Sequence, residues 1–233
     1  MVFLCPACQS DKRAGAANAE GGPTRSGGPY SARVDRDKVR QAYASVSELY
    51  IGLFGSREQV NPADLSFIGR HLGTRAGRVL DLGCGPGHLT GYLRSLGVDA
   101  AGIDLVTEFL AHARAAHPDV EFQLGSLENL DVASGSLDGI LAWYSTIHLP
   151  PQELDGVLNE FRRAIASAGT VVLGVFVADE VGAFDHKVVT AYRWPLDEIS
   201  ERLSRAGFKE VERLERPREG DQRPHAAIAA IAV

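Results

Sequence analysis

Three glycines at alternate positions dominate the reading of this chain. Gly83, Gly85 and Gly87 lie in the run Arg78-Val-Leu-Asp-Leu-Gly-Cys-Gly-Pro-Gly-His-Leu-Thr90. Val79 and Leu80 before them read as a buried strand that stops at Asp81, and Leu89, Tyr92, Leu93 and Leu96 after them recur at helical spacing. A strand feeding a glycine turn that opens a helix is a nucleotide-binding arrangement. Glycine permits positive φ in the tight turn and lets a ligand approach backbone that a Cβ would shield. The helix N-terminus adds a preference for negative charge. Spacing then separates ligands. A dinucleotide site has G-x-G-x-x-G, whose third glycine falls where this chain has His88, whereas here the run is D-x-G-x-G-x-G from Asp81 to Gly87.

The rest of the chain fits an alternation of strands and helices around that turn. Val98–Leu105 reads as the second strand and ends at Asp104, seventeen residues after Gly87. A carboxylate at that strand end is placed to accept from two adjoining ribose hydroxyls. A helix over 108–116, a third strand over Val120–Leu124, a fourth over Leu137–Tyr144 and a helix over 151–167 follow, and then a buried fifth strand over Thr170–Val177. Residues 178–193 read as a long connection of the kind that tends to be functional. Pro195 opens a last helix, and 211–216 and 226–233 form two terminal strands. Ahead of the glycine turn, Val39, Ala42, Tyr43, Val46, Leu49, Tyr50 and Leu53 define one amphipathic helix, and Asn61-Pro62-Ala63-Asp64 starts another.

With 233 residues, 45% hydrophobic and 23% charged, the chain fits one decorated domain with a substantial core. A formal charge of −6 supplies no bulk field for nucleic acid. No apolar run approaches membrane-spanning length, and Val2-Phe3-Leu4 is too short for a signal-peptide core, so a cytoplasmic setting is expected. Residues 1–34, rich in Gly, Ala, Ser and Pro between Ala14 and Ser31, read as a disordered or weakly ordered tail preceding a domain over 35–233. Cys5 and Cys8 are spaced as half of a zinc site, but the third cysteine is Cys84 and no second pair completes four ligands, so no metal is assigned.

The D-x-G-x-G-x-G run with Asp104 resembles the first two motifs of class I S-adenosylmethionine-dependent methyltransferases, of the type acting on small molecules. The resemblance extends over about residues 35–233 and is most specific over 79–105. It implies an α/β fold: a doubly wound, Rossmann-like, seven-stranded, mostly parallel sheet with an antiparallel last strand and helices on both faces. It implies S-adenosylmethionine as cofactor, S-adenosylhomocysteine as product, and methyl transfer by in-line displacement to a small-molecule acceptor. Asp81, Gly83, Cys84, Gly85 and Gly87 would then serve the methionine end, and Asp104 and Leu105 the ribose. Ser126 and Leu127 would flank the adenine; the family commonly has Asp where this chain has Ser126. The A-Y-x-x-V-x-x-L-Y arrangement resembles the family's N-terminal cap helix, lying over the cofactor with Tyr43 and Tyr50.

Ligands of open α/β sheets bind beyond the carboxyl ends of the strands, which puts Trp143, Tyr144, Ser145 and His148 of the fourth strand's exit at cofactor or acceptor. His148 is the candidate base and Tyr144 its companion; Tyr43, Ser145 and Arg193 are candidate acceptor contacts, Arg193 for an anion. Trp143-Tyr144-Ser145-Thr146 departs from the [DNS]-P-P-[YFW] motif of enzymes methylating base amines, and no carboxylate cluster is present to hold Mg²⁺. Two rival classes share these features: a protein that binds the cofactor without catalysis, and a nicotinamide oxidoreductase, which the glycine spacing opposes. Oligomeric state is not encoded in any of these patterns.

Overall fold

The computed structural model describes residues 35–218, 220 and 223–233. The Cys5/Cys8 pair and the tail reading of residues 1–34 lie outside them. The helices are α1 (Arg36–Ser45), α2 (Ser47–Phe54), α3 (Pro62–Leu72), α4 (His88–Ser95), α5 (Thr107–Ala116), α6 (Pro151–Ala164) and α7 (Leu196–Arg205). The strands are β1 (Val79–Leu82), β2 (Ala100–Asp104), β3 (Phe122–Leu124), β4 (Leu137–Trp143), β5 (Ile165–Val177), β6 (Gly182–Phe184), β7 (Ala191–Trp194), β8 (Phe208–Arg216) and β9 (His225–Ala232).

Strands β3-β2-β1-β4-β5 run parallel in that order, and β9 lies antiparallel between β5 and β8. These seven are the sheet the sequence leads one to expect. Two more strands come from the segment read as a long connection. β6 and β7 form an antiparallel pair, and β7 joins β5 in parallel through Phe176↔Arg193 and Val177↔Trp194. The backbone of Gly174 bonds Tyr144 at the end of β4, and Ala178 on the same side of β5 bonds Trp194. The β6–β7 pair thus takes over the edge of β5 where β4 leaves it, beyond the carboxyl ends of the parallel strands.

The sheet's two faces carry different helices, as period-2 alternation requires. Leu80, Leu82, Ile140, Ala142, Val171 and Leu173 pack against α6 and α7 through Leu154, Phe161, Ile199 and Leu203. Val79, Leu141 and Val172 face α3 and α4, meeting Phe67, Ile68, Leu72, Leu89 and Leu93. Asp81 shares the second face, which brings it to Thr90 of α4.

The local departures from the sequence reading have identifiable causes. The N-terminal helix is two helices: Val46 leaves the helical basin at φ −120° and ψ 13°, and the Ser45 hydroxyl bonds back to the Ala42 carbonyl at 2.7 Å. α6 stops at Ala164 rather than 167, because Ile165 is already paired with Leu137 across the sheet. Ala168, at φ +62°, turns the chain into the buried part of β5. At the start of α3, the Asn61 side chain accepts from the Ala63 N–H at 2.9 Å and Pro62 occupies the first turn. Among the described residues, no helix is long and apolar enough to cross a membrane.

Candidate active site

The glycine turn leaves β1 at Leu82 and enters α4 at His88, and its conformation is one that side chains resist. Gly83 has φ +71°, and a Cβ added there would lie 2.4 Å from the Ser145 Cβ. Gly87 has φ +83°, and its Cβ would stand 2.7 Å from the Ala113 Cβ and 2.8 Å from the Phe122 ring. The two glycines therefore differ in use. Gly83 lets the turn close against the β4 exit, while Gly87 lets α4 start close to α5 and β3.

Two cavities meet over this turn. The first is lined by Asp104, Leu105, Val106, Phe109, Gly125, Leu127, Ser145 and His148 among others. The second is lined by residues including Phe54, Asn61, Asp64, Asp81, Cys84, His88, Ile147, Phe176, His186 and Val188. Tyr43, Tyr50, Gly83, Gly85, Trp143 and Tyr144 line both. The cap helices cover this junction: the Tyr43 and Tyr50 rings lie 6.1 and 5.1 Å from that of Phe109 on α5, and Arg36 of α1 pairs with Glu128 in the segment after β3.

Asp104 is buried and tied to the turn. Its Oδ2 accepts from the Gly85 N–H at 2.7 Å and its Oδ1 from the Val106 N–H at 2.8 Å. Each carboxylate oxygen keeps a lone pair beyond those bonds. Burial lifts its carboxyl to about 6, against the pull of those backbone donors. Asp81 is more extreme: burial raises it to about 7, although its Oδ2 accepts from the Thr90 hydroxyl at 2.7 Å, and the nearby Asp104 charge raises it further. Two neighbouring buried carboxylates without a cation of their own form a site that gains from a positively charged ligand group. Ser145, which lines the first cavity, adds a second sign of a ligand site, since its buried Oγ has no hydrogen-bond partner among the described residues.

At the far wall stands His148, with both ring nitrogens engaged. Nδ1 lies 2.8 Å from the Thr190 carbonyl and Nε2 lies 2.8 Å from the Tyr43 hydroxyl. A carbonyl only accepts, so Nδ1 carries the proton and Nε2 accepts from Tyr43. Burial holds the ring below the usual histidine range, partly offset by the Thr190 bond, so it is neutral at pH 7. The β6–β7 pair supplies this support: Thr190 precedes β7, and the Tyr192 N–H bonds the Ile147 carbonyl at 2.7 Å. His186, from the same segment, lies 5.5 Å from the His148 ring and is lowered to about 4 by burial and then by His148 and Arg223. Tyr144 leaves β4 at φ +55°, a left-handed conformation uncommon for a side chain of its size, with its ring 5.2 Å from that of Phe176.

Of the residues singled out from sequence, Tyr43, Tyr50, Asp81, Gly83, Cys84, Gly85, Asp104, Leu105, Leu127, Trp143, Tyr144, Ser145 and His148 each line at least one cavity. Three do not. Gly87 serves helix packing, and Ser126 uses its hydroxyl to accept from the Glu128 N–H at 3.3 Å. Arg193 sits on β7 opposite Gly182 and lines neither cavity, because the segment read as a loop is a strand pair attached to the sheet. Cys84 contributes backbone; its sulfur packs with Leu110, Ala113 and Phe122, and burial pushes the thiol well up from its ordinary value. Phe109, Asp64, His88, Phe176 and His186 were missed. His186 carried one signal, a histidine in the long connection; the others looked like ordinary helix and strand positions.

Residues 79–169 match the model of a methyltransferase domain family. Over 164 residues the chain is 28% identical to a malonyl-[acyl-carrier protein] O-methyltransferase of Erwinia billingiae, an alignment covering 70% of this chain and 61% of that protein. It is 35% identical over 104 residues to a ubiquinone biosynthesis O-methyltransferase of Nitrosococcus oceani, covering 42% of this chain and 44% of that one. The alignments thus span less than two thirds of these relatives' length. In fold it is similar to the Burkholderia thailandensis 1,6-didemethyltoxoflavin-N1-methyltransferase, solved with 1,6-didemethyltoxoflavin and S-adenosylhomocysteine. The TM-score is 0.70 at 21% identity, covering 92% of this chain and 93% of the other. Residues 79–169 thus match a methyltransferase domain, and the described residues share the fold of a methyltransferase solved with S-adenosylhomocysteine.

Proposed function

We propose that this protein transfers the methyl group of S-adenosylmethionine to a small-molecule acceptor, releasing S-adenosylhomocysteine. The observation that carries the reading is the junction of the two cavities over the Gly83–Gly85 turn, with one buried carboxylate on each side. Asp104, with lone pairs left on both oxygens, suits the paired hydroxyls of a ribose. Leu105, Val106 and Leu127 offer apolar flanks to a flat base, with Phe109 close by. Asp81 suits the amino group of the methionine end. A Cβ on Gly85 would meet nothing nearer than Tyr50 Cε1 at 4.0 Å, so that position is open backbone on the cavity floor. These residues fit the cofactor.

When bound, the cofactor supplies an activated methyl group on a positively charged sulfur. The chain's own work is to seat the acceptor in line with it, to exclude water beneath the cap helices, and to receive a proton where the acceptor must lose one. Tyr43 and His148 are the proposed proton acceptors. Tyr144, Trp143 and Ser145 are the proposed positioning groups at the β4 exit. The composition supports a cytoplasmic setting, and a small acceptor is favoured over nucleic acid. Relatives named for an acyl-carrier-protein substrate, a ubiquinone precursor pathway and a toxoflavin precursor differ too much among themselves to transfer an acceptor to this chain. Nothing in the site favours a nicotinamide.

The test is calorimetric titration with S-adenosylhomocysteine, followed by incubation with methyl-labelled donor and extract fractions. Binding with enzyme-dependent label in an extractable small molecule supports the reading. Label in protein or nucleic acid moves the acceptor class, and binding with no label in any fraction favours a non-catalytic binding module.

A further inference from the structure

We infer that the acceptor is an uncharged aromatic molecule whose reacting group is a weakly acidic ring hydroxyl, seated among the aromatic residues of the second cavity, away from the Asp81 end that serves the cofactor. The inference rests on the methyltransferase reading above and names the acceptor's chemistry. Three features of that cavity carry it.

The first is its wall. Tyr50, Phe54, Trp143, Tyr144 and Phe176 line it, together with Ile147 and Val188. Such a surface gains most from a flat apolar occupant, through area burial and offset or edge-on ring contacts.

The second is charge. Among the described residues, neither cavity is lined by lysine or arginine, while Asp64 and Asp81 both line the second. Asp64 is held by Arg216 at 3.2 Å, so that guanidinium is already committed. Arg223 is stacked on Phe184 at 4.5 Å and Arg193 lies on β7, and neither lines a cavity. A carboxylate or phosphate acceptor would be desolvated beside Asp64 and Asp81, with no lysine or arginine among the lining residues, a costly arrangement.

The third is the proton path. The Tyr43 hydroxyl donates to His148 Nε2 at 2.8 Å, and Tyr43 lines both cavities. An acceptor hydroxyl beside Tyr43 passes its proton to the Tyr43 oxygen as the Tyr43 proton moves to Nε2. The ring becomes an imidazolium that still donates Nδ1–H to the Thr190 carbonyl. The electron pair of the broken O–H bond stays on the acceptor oxygen and forms its bond to the methyl carbon, while the methyl–sulfur bond breaks with its pair left on sulfur. The imidazolium then loses its proton to solvent. A buried imidazole beside His186 is a weak base. It is matched to a phenolic hydroxyl, near 10 as in tyrosine, and not to an alkanol, which holds its proton far more tightly.

The test compares two probes of one shape, 2-naphthol and 2-naphthoate, titrated at pH 7.5 into protein saturated with S-adenosylhomocysteine. Binding is read by calorimetry. The expected result is naphthol binding at least tenfold tighter than naphthoate, with Val188→Arg narrowing or reversing the preference by adding a cation to the cavity. Equal or tighter naphthoate binding to the wild-type protein overturns the inference, as does the binding of neither probe, and both leave the methyltransferase reading standing. Failure of S-adenosylhomocysteine itself to bind overturns both.

Discussion

Gly83→Ala is the substitution whose consequence is best worked from the geometry. Two separable penalties meet there. The residue has φ +71°, which costs a side-chain-bearing L-residue roughly 1–2 kcal/mol. Its new Cβ would also stand 2.4 Å from the Ser145 Cβ, more than 1 Å inside the separation of about 3.5–4.0 Å at which carbon atoms rest. Both atoms are fixed to backbone, so no rotamer relieves the overlap, and overpacking of this kind costs about 1–3 kcal/mol. The expected loss is therefore about 2–5 kcal/mol, a large share of a typical domain's stability. Urea denaturation of the four members of a Gly83→Ala and Ser145→Gly cycle isolates the overlap. Removing the Ser145 Cβ leaves the φ penalty and deletes the clash, so the two changes should couple by about 1–3 kcal/mol. A Gly83→Ala protein within measurement error of wild type, or a cycle with no coupling, refutes the account of why this position is glycine.

Asp81→Asn should stabilise the ligand-free protein at pH 8 by on the order of 1–4 kcal/mol. Burial lifts the Asp81 carboxyl from 3.8 to about 7, so the folded state holds a proton that the unfolded state releases. Wild-type stability from this group is full below about pH 4 and is lost progressively as pH rises to about 7, so thermal melts of the two proteins should converge only below about pH 4. Asp104→Ala, which removes a carboxylate tied to the Gly85 and Val106 N–H groups, should weaken S-adenosylhomocysteine binding by tenfold or more in calorimetry. His148→Ala should lower turnover by roughly 10²–10⁴-fold while changing cofactor affinity no more than a few fold, and unchanged turnover removes His148 from the mechanism.

The parallel half of the fold was legible because its signals are local. A buried strand, a glycine turn and an amphipathic helix follow one another within residues 78–96, and Asp104 closes the second strand at a fixed distance. His148 was legible by place, on the exit of β4. Its tautomer was not, because Thr190 and Tyr43 reach it from 42 and 105 residues away. The β6–β7 pair was hidden for a related reason. Gly182-Ala-Phe184 and Ala191-Tyr-Arg-Trp194 are too short to show a period, and each is a strand only because the partner and the open edge of β5 are present. The break at Val46 escaped because the apolar spacing continues through it from Tyr43 to Tyr50, while the interruption is a backbone event. Gly87 shares the motif with Gly83, and its packing against Ala113 and Phe122 of the core is not visible in that motif.

The attachment of β6 and β7 to the rest of the sheet has an engineering consequence. Their strand pairing to β5 passes through Phe176 and Val177, and the segment between Ala178 and Trp194 brings His186, Val188 and the Thr190 carbonyl to the far wall. The grip on Asp104 and Asp81 comes from β1, β2 and α4 and owes this segment no hydrogen bond. The proposed donor seat thus draws none of its hydrogen bonds from this segment, while the proposed acceptor wall takes His186 and Val188 from it. Rewriting the side chains between Val177 and Pro195 is therefore expected to change the preferred guest more than the affinity for S-adenosylhomocysteine, as paired calorimetric titrations would read.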